Sequence, residues 1–373
     1  MSEPLNRRAF VTGLGAVLAA PLRGEAQRMA EVGVLFFGTE RLSLNAERVV
    51  RVLRDALRGF GWIDGQSITL KSRFADLNEK RLAALAQEFA HRRVDAIVAV
   101  GAPATAAAHR ATTSIPIVML GSSDPVAAGL VRNLARPDGN VTGTSLLLTE
   151  TAGKRLQFLK EVTPRLTLTA VLHSGSAVPR PSGSQVSRVS QLDELRAAAH
   201  SVGVEVQEFV YRGVDALPAQ FAEIRSGRAE ALIVIASHTI DEARVPLAQL
   251  ALGHRLPTAF TFREYVEAGG LVSYGPNLGA IHQRAAYYVD RLLRGTKPAD
   301  LPIEQASTFE FVINLKTAKA SHASGASPFS APRLTRSRNH TCRISRTRRA
   351  VSDFSCGRFW STAPTSSMTL LRR

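Results

Sequence analysis

The chain has 373 residues, 45% of them apolar, and a formal net charge of +16. That length and apolar share suit about two domains with buried cores and exclude a wholly disordered polypeptide. The charge is unevenly placed: residues 321–373 hold ten arginines, no lysine and one acid, Asp353, so +9 of the excess lies there and +7 is spread over the first 320 residues. Both cysteines, Cys342 and Cys356, also fall in that tail, which removes disulfides, thiolate nucleophiles and cysteine metal sites from the body.

The first element is an export signal, residues 1–26. Arg7 and Arg8 precede an apolar run from Ala9 to Leu22, and small residues follow at Gly24 and Ala26. NRRAFVTG resembles a twin-arginine signal, which exports folded proteins. The alternative, a membrane anchor, needs about 20 apolar residues, and this run is shorter and broken by Gly13, Gly15 and Pro21. A location outside the cytoplasm follows.

From Glu31 the pattern alternates. VGVLFFG (32–38) reads as a strand covered on both faces, and the stripe Ala46, Val49, Val50, Leu53, Leu57 as a helix. SITLKSRF (67–74) is a strand, and Leu82, Leu85, Ala86 and Phe89 mark the next helix. VDAIVAVG (94–101), a short helix in ATAAAHRA, IPIVMLG (115–121) and a helix in PVAAGLVRNLAR, with Pro125 in its first turn, follow. GNVTGTSLL reads as a crossing segment. The alternation then restarts: TETAGKRLQFLKEV, LTAVLHS (168–174), QLDELRAAAHSVG, VEVQEFVY, LPAQFAEIRSG and EALIVIAS (230–237). DEARVPLAQLALGHR, PTAFTF, REYVEAG, GLVSYG (270–275), the long helix AIHQRAAYYVDRLLRG and FEFVINL (309–315) complete it. Strict alternation predicts parallel sheets, and two runs of it predict two lobes.

Ligands of open parallel sheets bind beyond the carboxyl ends of the strands. In the first run those ends carry Thr39, then Ala104 and Thr105, then Ser122, Ser123 and Asp124. The latter two groups lead into expected helices, whose unpaired amides could hold a carboxylate while the hydroxyls donate. The alternative use of these residues is helix capping. Ser145 lies in the crossing segment and Ser237 ends a strand of the second run. Arg263 could pair with a ligand carboxylate, and Phe262 and Tyr274 could stack on an apolar or aromatic ligand; the other reading is a solvated charge and two core rings.

Catalytic signatures are missing. The sequence holds no GxxxxGK[ST] loop, no HExxH and no GxSxG, and its nine histidines lack ligand spacing.

The runs VGVLFFGT, DAIVAVGAPATAAA, IPIVMLGSSDPVAAGLV, GNVTGTS, GLVSYGPNL, RLLRGTKPADLPIEQ and FEFVINLKTAKA resemble ABC-transporter substrate-binding proteins of the tryptophan and tyrosine type over roughly residues 31–320. The resemblance implies two Rossmann-like lobes in the type I periplasmic-binding-protein architecture. One lobe would comprise residues 31–146 with about 278–300, the other 147–277 with about 301–320. It implies a periplasmic monomer that closes on a small carboxylate-bearing ligand such as an amino acid. The ligand would pass to an inner-membrane ABC permease without catalysis, cofactor, metal or nucleic acid. The ligand residues would be the eleven named above. An extracytoplasmic sensor that signals to a membrane receptor is the alternative.

Two stretches depart from that family. SGSAVPRPSGSQVSRVSQ (174–191) is Ser-rich where the family has an Asn-Pro turn with ligand contacts. After NLKTAKA the text turns to Ser, Arg and Pro, the composition of a GC-rich gene read out of frame, so a frameshift near codon 320 is the hypothesis for residues 321–373. An intact frame on resequencing overturns it. Such a tail has too few apolar residues to offset ordering entropy and is expected to be disordered.

Overall fold

The computed structural model describes residues 28–40, 44–122, 124–126, 128–175, 184–322 and 366–371. The expected export signal, Ser123, residues 176–183 and most of the tail lie outside the described residues.

The first run builds β1 (Ala30–Phe36), α1 (Leu44–Gly59), β2 (Ile68–Phe74), α2 (Glu79–Arg92), β3 (Ala96–Val100), α3 (Gly101–Ala111), β4 (Ile117–Ser122) and β5 (Val141–Ser145). The second builds α4 (Leu148–Val162), β6 (Leu168–His173), α5 (Ser184–Ser201), β7 (Glu205–Val210), α6 (Leu217–Ser226) and β8 (Ala231–Val234). It continues through α7 (His238–Glu242), α8 (Arg244–Gly253), β9 (Thr258–Phe260), α9 (Arg263–Glu267) and β10 (Val272–Pro276). The chain then forms α10 (Leu278–Leu293), β11 (Glu304–Gln305), β12 (Phe309–Asn314), α11 (Leu315–His322) and β13 (Ser366–Leu371).

The strands form two sheets, ordered β11-β5-β4-β3-β1-β2 and β13-β12-β10-β9-β8-β6-β7. Every pairing in the first sheet is parallel. In the second, among the described residues, β10 and β12 alone pair antiparallel. Apolar residues fill both faces of the central strands, as continuous apolar runs require. One core cluster lies beneath α2 and α3; the other runs from the α1 and α10 side of the first sheet into the second lobe.

Three crossings among the described residues join the lobes. Leu146 and Leu147 lead from β5 to α4, Asn277 leads from β10 to α10, and residues 306–308 lead from β11 to β12. The sequence puts residues from about 301 onward in the second lobe. Glu304 and Gln305 instead pair with Thr144 and Ser145 in the first sheet, so the third crossing comes later.

Two other expectations change. PVAAGLVRNLAR predicts a helix, but its described residues form tight turns. Asp124 Oδ1 accepts the Val126 amide at 3.1 Å, and Gly129 takes a positive φ of 65°. Both favour turns over a continuing helix, while Ala128, Leu130 and Val131 are still buried. The tail composition predicts no ordered element, yet Ser366–Leu371 lie parallel to β12 over six register pairs. SSMTLL is an apolar cluster within the tail, and β12 offers it an open strand edge.

Candidate functional site

Strand order reverses once in each sheet. In the first, β2 and β3 flank β1 on opposite sides; in the second, β7 and β8 flank β6. The carboxyl ends at such a reversal diverge and leave a crevice. Here the two crevices face one another. The Thr39 amide, just past β1, donates to Glu242 Oε1 of α7 at 2.7 Å. The Phe37 ring meets the His238 ring edge-on, with centroids 5.9 Å apart. The element that follows β8 therefore closes over the ends of β1 and β3.

Two glycines make that approach possible. A Cβ on Gly101 would stand 2.3 Å from His238 Nε2, and Gly101 also has a φ of 82°, where side chains are strained. A Cβ on Gly38 would stand 2.8 Å from Glu242 Oε1. Ser237 caps α7, its Oγ accepting from the Ile240 amide at 3.4 Å. Behind α7, the Tyr265 hydroxyl donates to Asp241 Oδ1 at 2.5 Å, and Arg244 Nη1 donates to the Asp241 carbonyl. Burial pushes the Asp241 carboxyl up to about 7, against the lowering effect of the Tyr265 bond and the Arg244 charge. Half-buried Tyr211, just past β7, has its hydroxyl pKa raised first by burial and then by the Glu242 charge.

Two hydroxyls at strand ends are orphans. Ser122 Oγ, ending β4, and Thr261 Oγ1, just past β9, are buried and make no hydrogen bond among the described residues. Each residue is 1% exposed. An unpaired buried hydroxyl costs about 1–3 kcal/mol unless something satisfies it. One lies at a strand end of each lobe.

The residues expected from sequence divide. Thr39 and Ser237 come together around α7. Ala104 is wholly buried in the core, and the Thr105 hydroxyl donates to the Gly101 carbonyl at 2.9 Å, within α3. Ser122 and Asp124 were expected to lead a helix; the described residues that follow them form turns instead. Ser145 is buried at the end of β5, its carbonyl accepting from the Ala306 amide.

In the second lobe, Arg263 is bound to Glu310 at 2.7 Å and to Glu267 at 3.1 Å. Neither a solvated charge nor an open carboxylate receptor describes it. Tyr274 is 4% exposed and packs against Phe158 and Phe309, with Phe311 stacked on Phe158, so it belongs to an aromatic core. Phe262 is buried at the start of α9. Sequence reading missed Glu242, His238 and Tyr211. Their signal was weak: SHTIDE follows a strand end, but its histidine looked like one of nine scattered ones.

Among the described residues no group of three His, Cys, Asp or Glu could hold a metal, and no helix is long and apolar enough to cross a membrane.

Residues 43–323 match the model of the family described as ABC transporter substrate binding protein. A tyrosine-binding protein of Clostridioides difficile is 28% identical over 267 residues, which cover 71% of this chain and 74% of that one. A conserved domain protein of Vibrio cholerae superposes with a TM-score of 0.70 at 23% identity, covering 79% of this chain and 95% of that one. An ABC domain of Streptococcus pneumoniae in complex with L-Trp superposes with a TM-score of 0.68 at 24% identity, covering 79% and 94%. The likeness to these structures shows the fold, that of type I periplasmic binding proteins.

Proposed function

This chain belongs to the ABC transporter substrate-binding protein family, and we propose that it takes up a small carboxylate-bearing ligand, an amino acid with an aromatic side chain, between its lobes and delivers it to an inner-membrane ABC permease. The family binds solutes rather than transforming them and works outside the cytoplasm. The finer reading is of a periplasmic monomer, exported by the twin-arginine route.

One observation carries the reading. The reversal points of the two sheets face each other across α7, with an orphan hydroxyl at a strand end of each lobe. Such a crevice supplies directed donors to a ligand that touches both lobes, and binding there favours the closed arrangement. The amides that open α3 suit a carboxylate. Tyr211 suits an aromatic body, and Glu242 suits an ammonium. The names of the tyrosine-binding relative and of the L-Trp complex support the choice of ligand.

Calorimetric titration of the purified chain with L-tyrosine, L-tryptophan and L-phenylalanine tests it, with tyramine and tryptamine as partners lacking the carboxylate. Saturable binding of at least one amino acid, with no binding of its amine, is expected. Indifference to all three amino acids, from a chain whose circular dichroism shows α/β structure, overturns the reading.

A further inference from the structure

The parallel sheet of the first lobe has two ends, and its carboxyl end faces the crevice. At the other end the chain enters each strand, so the segments before β1, β2 and β3 lie there, with the last turns of α1, α2, α3 and α10. Apolar side chains gather at the β1–β2 corner of that end. Met29, Phe60 and Ile63 are 44%, 38% and 40% exposed, and Trp62 is half-buried among them. The corner is held in place. Trp62 Nε1 donates to Asp290 Oδ1 of α10 at 2.9 Å, and Arg294 Nη2 donates to the Phe60 carbonyl at 3.0 Å. Thr69 Oγ1 of β2 donates to Met29 Sδ at 3.2 Å. Single exposed apolar residues are ordinary, but three on two adjoining segments beside a tryptophan make a patch.

Cations surround it. Arg58, Arg93, Arg110, Arg291 and Lys297 are exposed at this end and form no ion pair among the described residues. Arg291 lies 5.7 Å from the centre of the Tyr287 ring, a contact that leaves its charge unanswered by an acid. The acids there are mostly taken: Glu31, Asp64, Asp95, Asp138 and Asp290 each pair with an arginine. Asp55 and Asp300 are exposed without an ion pair, so the unpaired cations outnumber the unpaired acids among the described residues. Cations at helix carboxyl ends also answer the helix dipole, which accounts for Arg58, Arg110 and Arg291 individually. It does not account for Phe60 and Ile63 standing exposed beside them.

We propose that this end of the first lobe docks on a phospholipid surface, with Phe60 and Ile63 entering the interface and Arg58 and Arg291 meeting anionic headgroups. Aromatic rings with a polar handle settle at the level of the headgroups, and arginines nearby are attracted by anionic lipid. The path of the chain fits such a partner. It comes into this end at Arg28, directly after the segment read as an export signal, so this end is the part of the fold nearest the membrane while that signal is engaged. The crevice lies at the opposite end of the strands and stays open to solute. The proposal rests on the location outside the cytoplasm and needs nothing from the identity of the solute.

The test reads lipid contact at Trp62 itself, because the arginine-rich tail could bring the chain to anionic vesicles on its own. Trp360→Phe in the full chain leaves Trp62 as the sole tryptophan. The vesicles are equal parts phosphatidylglycerol and phosphatidylcholine, with some phosphatidylcholine carrying a nitroxide on its headgroup, in low-salt buffer. Quenching of Trp62 fluorescence is expected, and it should fall about twofold or more when Arg58→Gln and Arg291→Gln are added together. The pair Phe60→Ser and Ile63→Ser should lower it likewise. The control pair Arg165→Gln and Arg225→Gln, both exposed in the second lobe, removes the same charge and should leave it unchanged. Unquenched Trp62 in chain that sediments with the vesicles overturns the proposal and leaves this end to a protein partner. Failure of the chain to bind the vesicles, or equal loss of quenching in the control pair, overturns it as well.

Discussion

The Thr39 amide and the Glu242 carboxylate meet at 2.7 Å although 203 residues separate them. This bond ties the end of β1 to α7 and exists only while the lobes are together. A hydrogen bond to a charged acceptor contributes about 1.5–3 kcal/mol, so its loss shifts the balance toward the open arrangement. Glu242→Ala is expected to weaken L-tyrosine or L-tryptophan binding about tenfold in titration, with an unchanged far-ultraviolet spectrum. Glu242→Gln retains an acceptor oxygen for the Thr39 amide but loses the charge, so it is expected to fall between the parent and Glu242→Ala. Equal affinity in all three chains would show that the contact plays no part in closure.

Gly101 and His238 form the tighter contact. A methyl group at Gly101 would stand 2.3 Å from the imidazole, so Gly101→Ala must push α7 away from β3. The positive φ adds about 1–2 kcal/mol of backbone strain. Affinity is expected to fall at least tenfold. Adding His238→Ala removes the clash but leaves the strain, so the double variant should recover much of the affinity and little of the melting temperature. Residues in contact are non-additive in this way. A double variant no better than Gly101→Ala alone would assign the loss to the backbone.

These contacts mark the limit of what the sequence discloses. The strands are legible because apolar runs such as AIVAV can be satisfied only by cover on both faces. The helix stripes are legible for the same reason, since Leu53 and Phe89 face the sheet. The missing helix after β4 was not legible, because PVAAGLVRNLAR has helical spacing while the Asp124 turn and Gly129 decide its path locally. Arg263 could not be placed, because its partner Glu310 lies 47 residues onward in another strand. Glu242 and His238 were invisible because closure, not periodicity, gives them their role.

Arg155 poses a different question. It is 1% exposed, donates to Thr151 Oγ1 and Gln191 Oε1, leaves Nε unpaired and has no carboxylate partner among the described residues. Burial lowers its pKa to about 10, still charged at neutral pH. A buried charge without a counter-charge costs stability, and an apolar residue of similar length can be better tolerated. Arg155→Met is expected to raise the melting temperature by a few degrees, about 1 kcal/mol, as read by differential scanning calorimetry. A fall of similar size would show that the Thr151 and Gln191 bonds outweigh the desolvation.

Asp241 and His282 give stability a pH dependence of known sign. Asp241, bonded by Tyr265 and flanked by Arg244, Glu264 and Glu242, titrates near 7 in the folded chain and near 3.9 when unfolded. The folded state therefore holds a proton that the unfolded state releases, and Asp241 lowers stability as pH rises from about 4 to above 7. His282 is the reverse: burial, then the Arg48 charge, lowers it to about 4 from an unfolded value near 6.5. The folded state keeps it neutral, so stability falls as pH drops from about 6.5 to 4. The two oppose one another between pH 4 and 6.5, and Asp241 alone acts between about 6.5 and 8. Asp241→Asn keeps an acceptor for Tyr265 and removes the titration. Its melting temperature should exceed that of the parent at pH 8, by the equivalent of about 1–2 kcal/mol, and the gap should close toward pH 4. Parallel curves for parent and variant across that range would mean that Asp241 ionises normally behind α7.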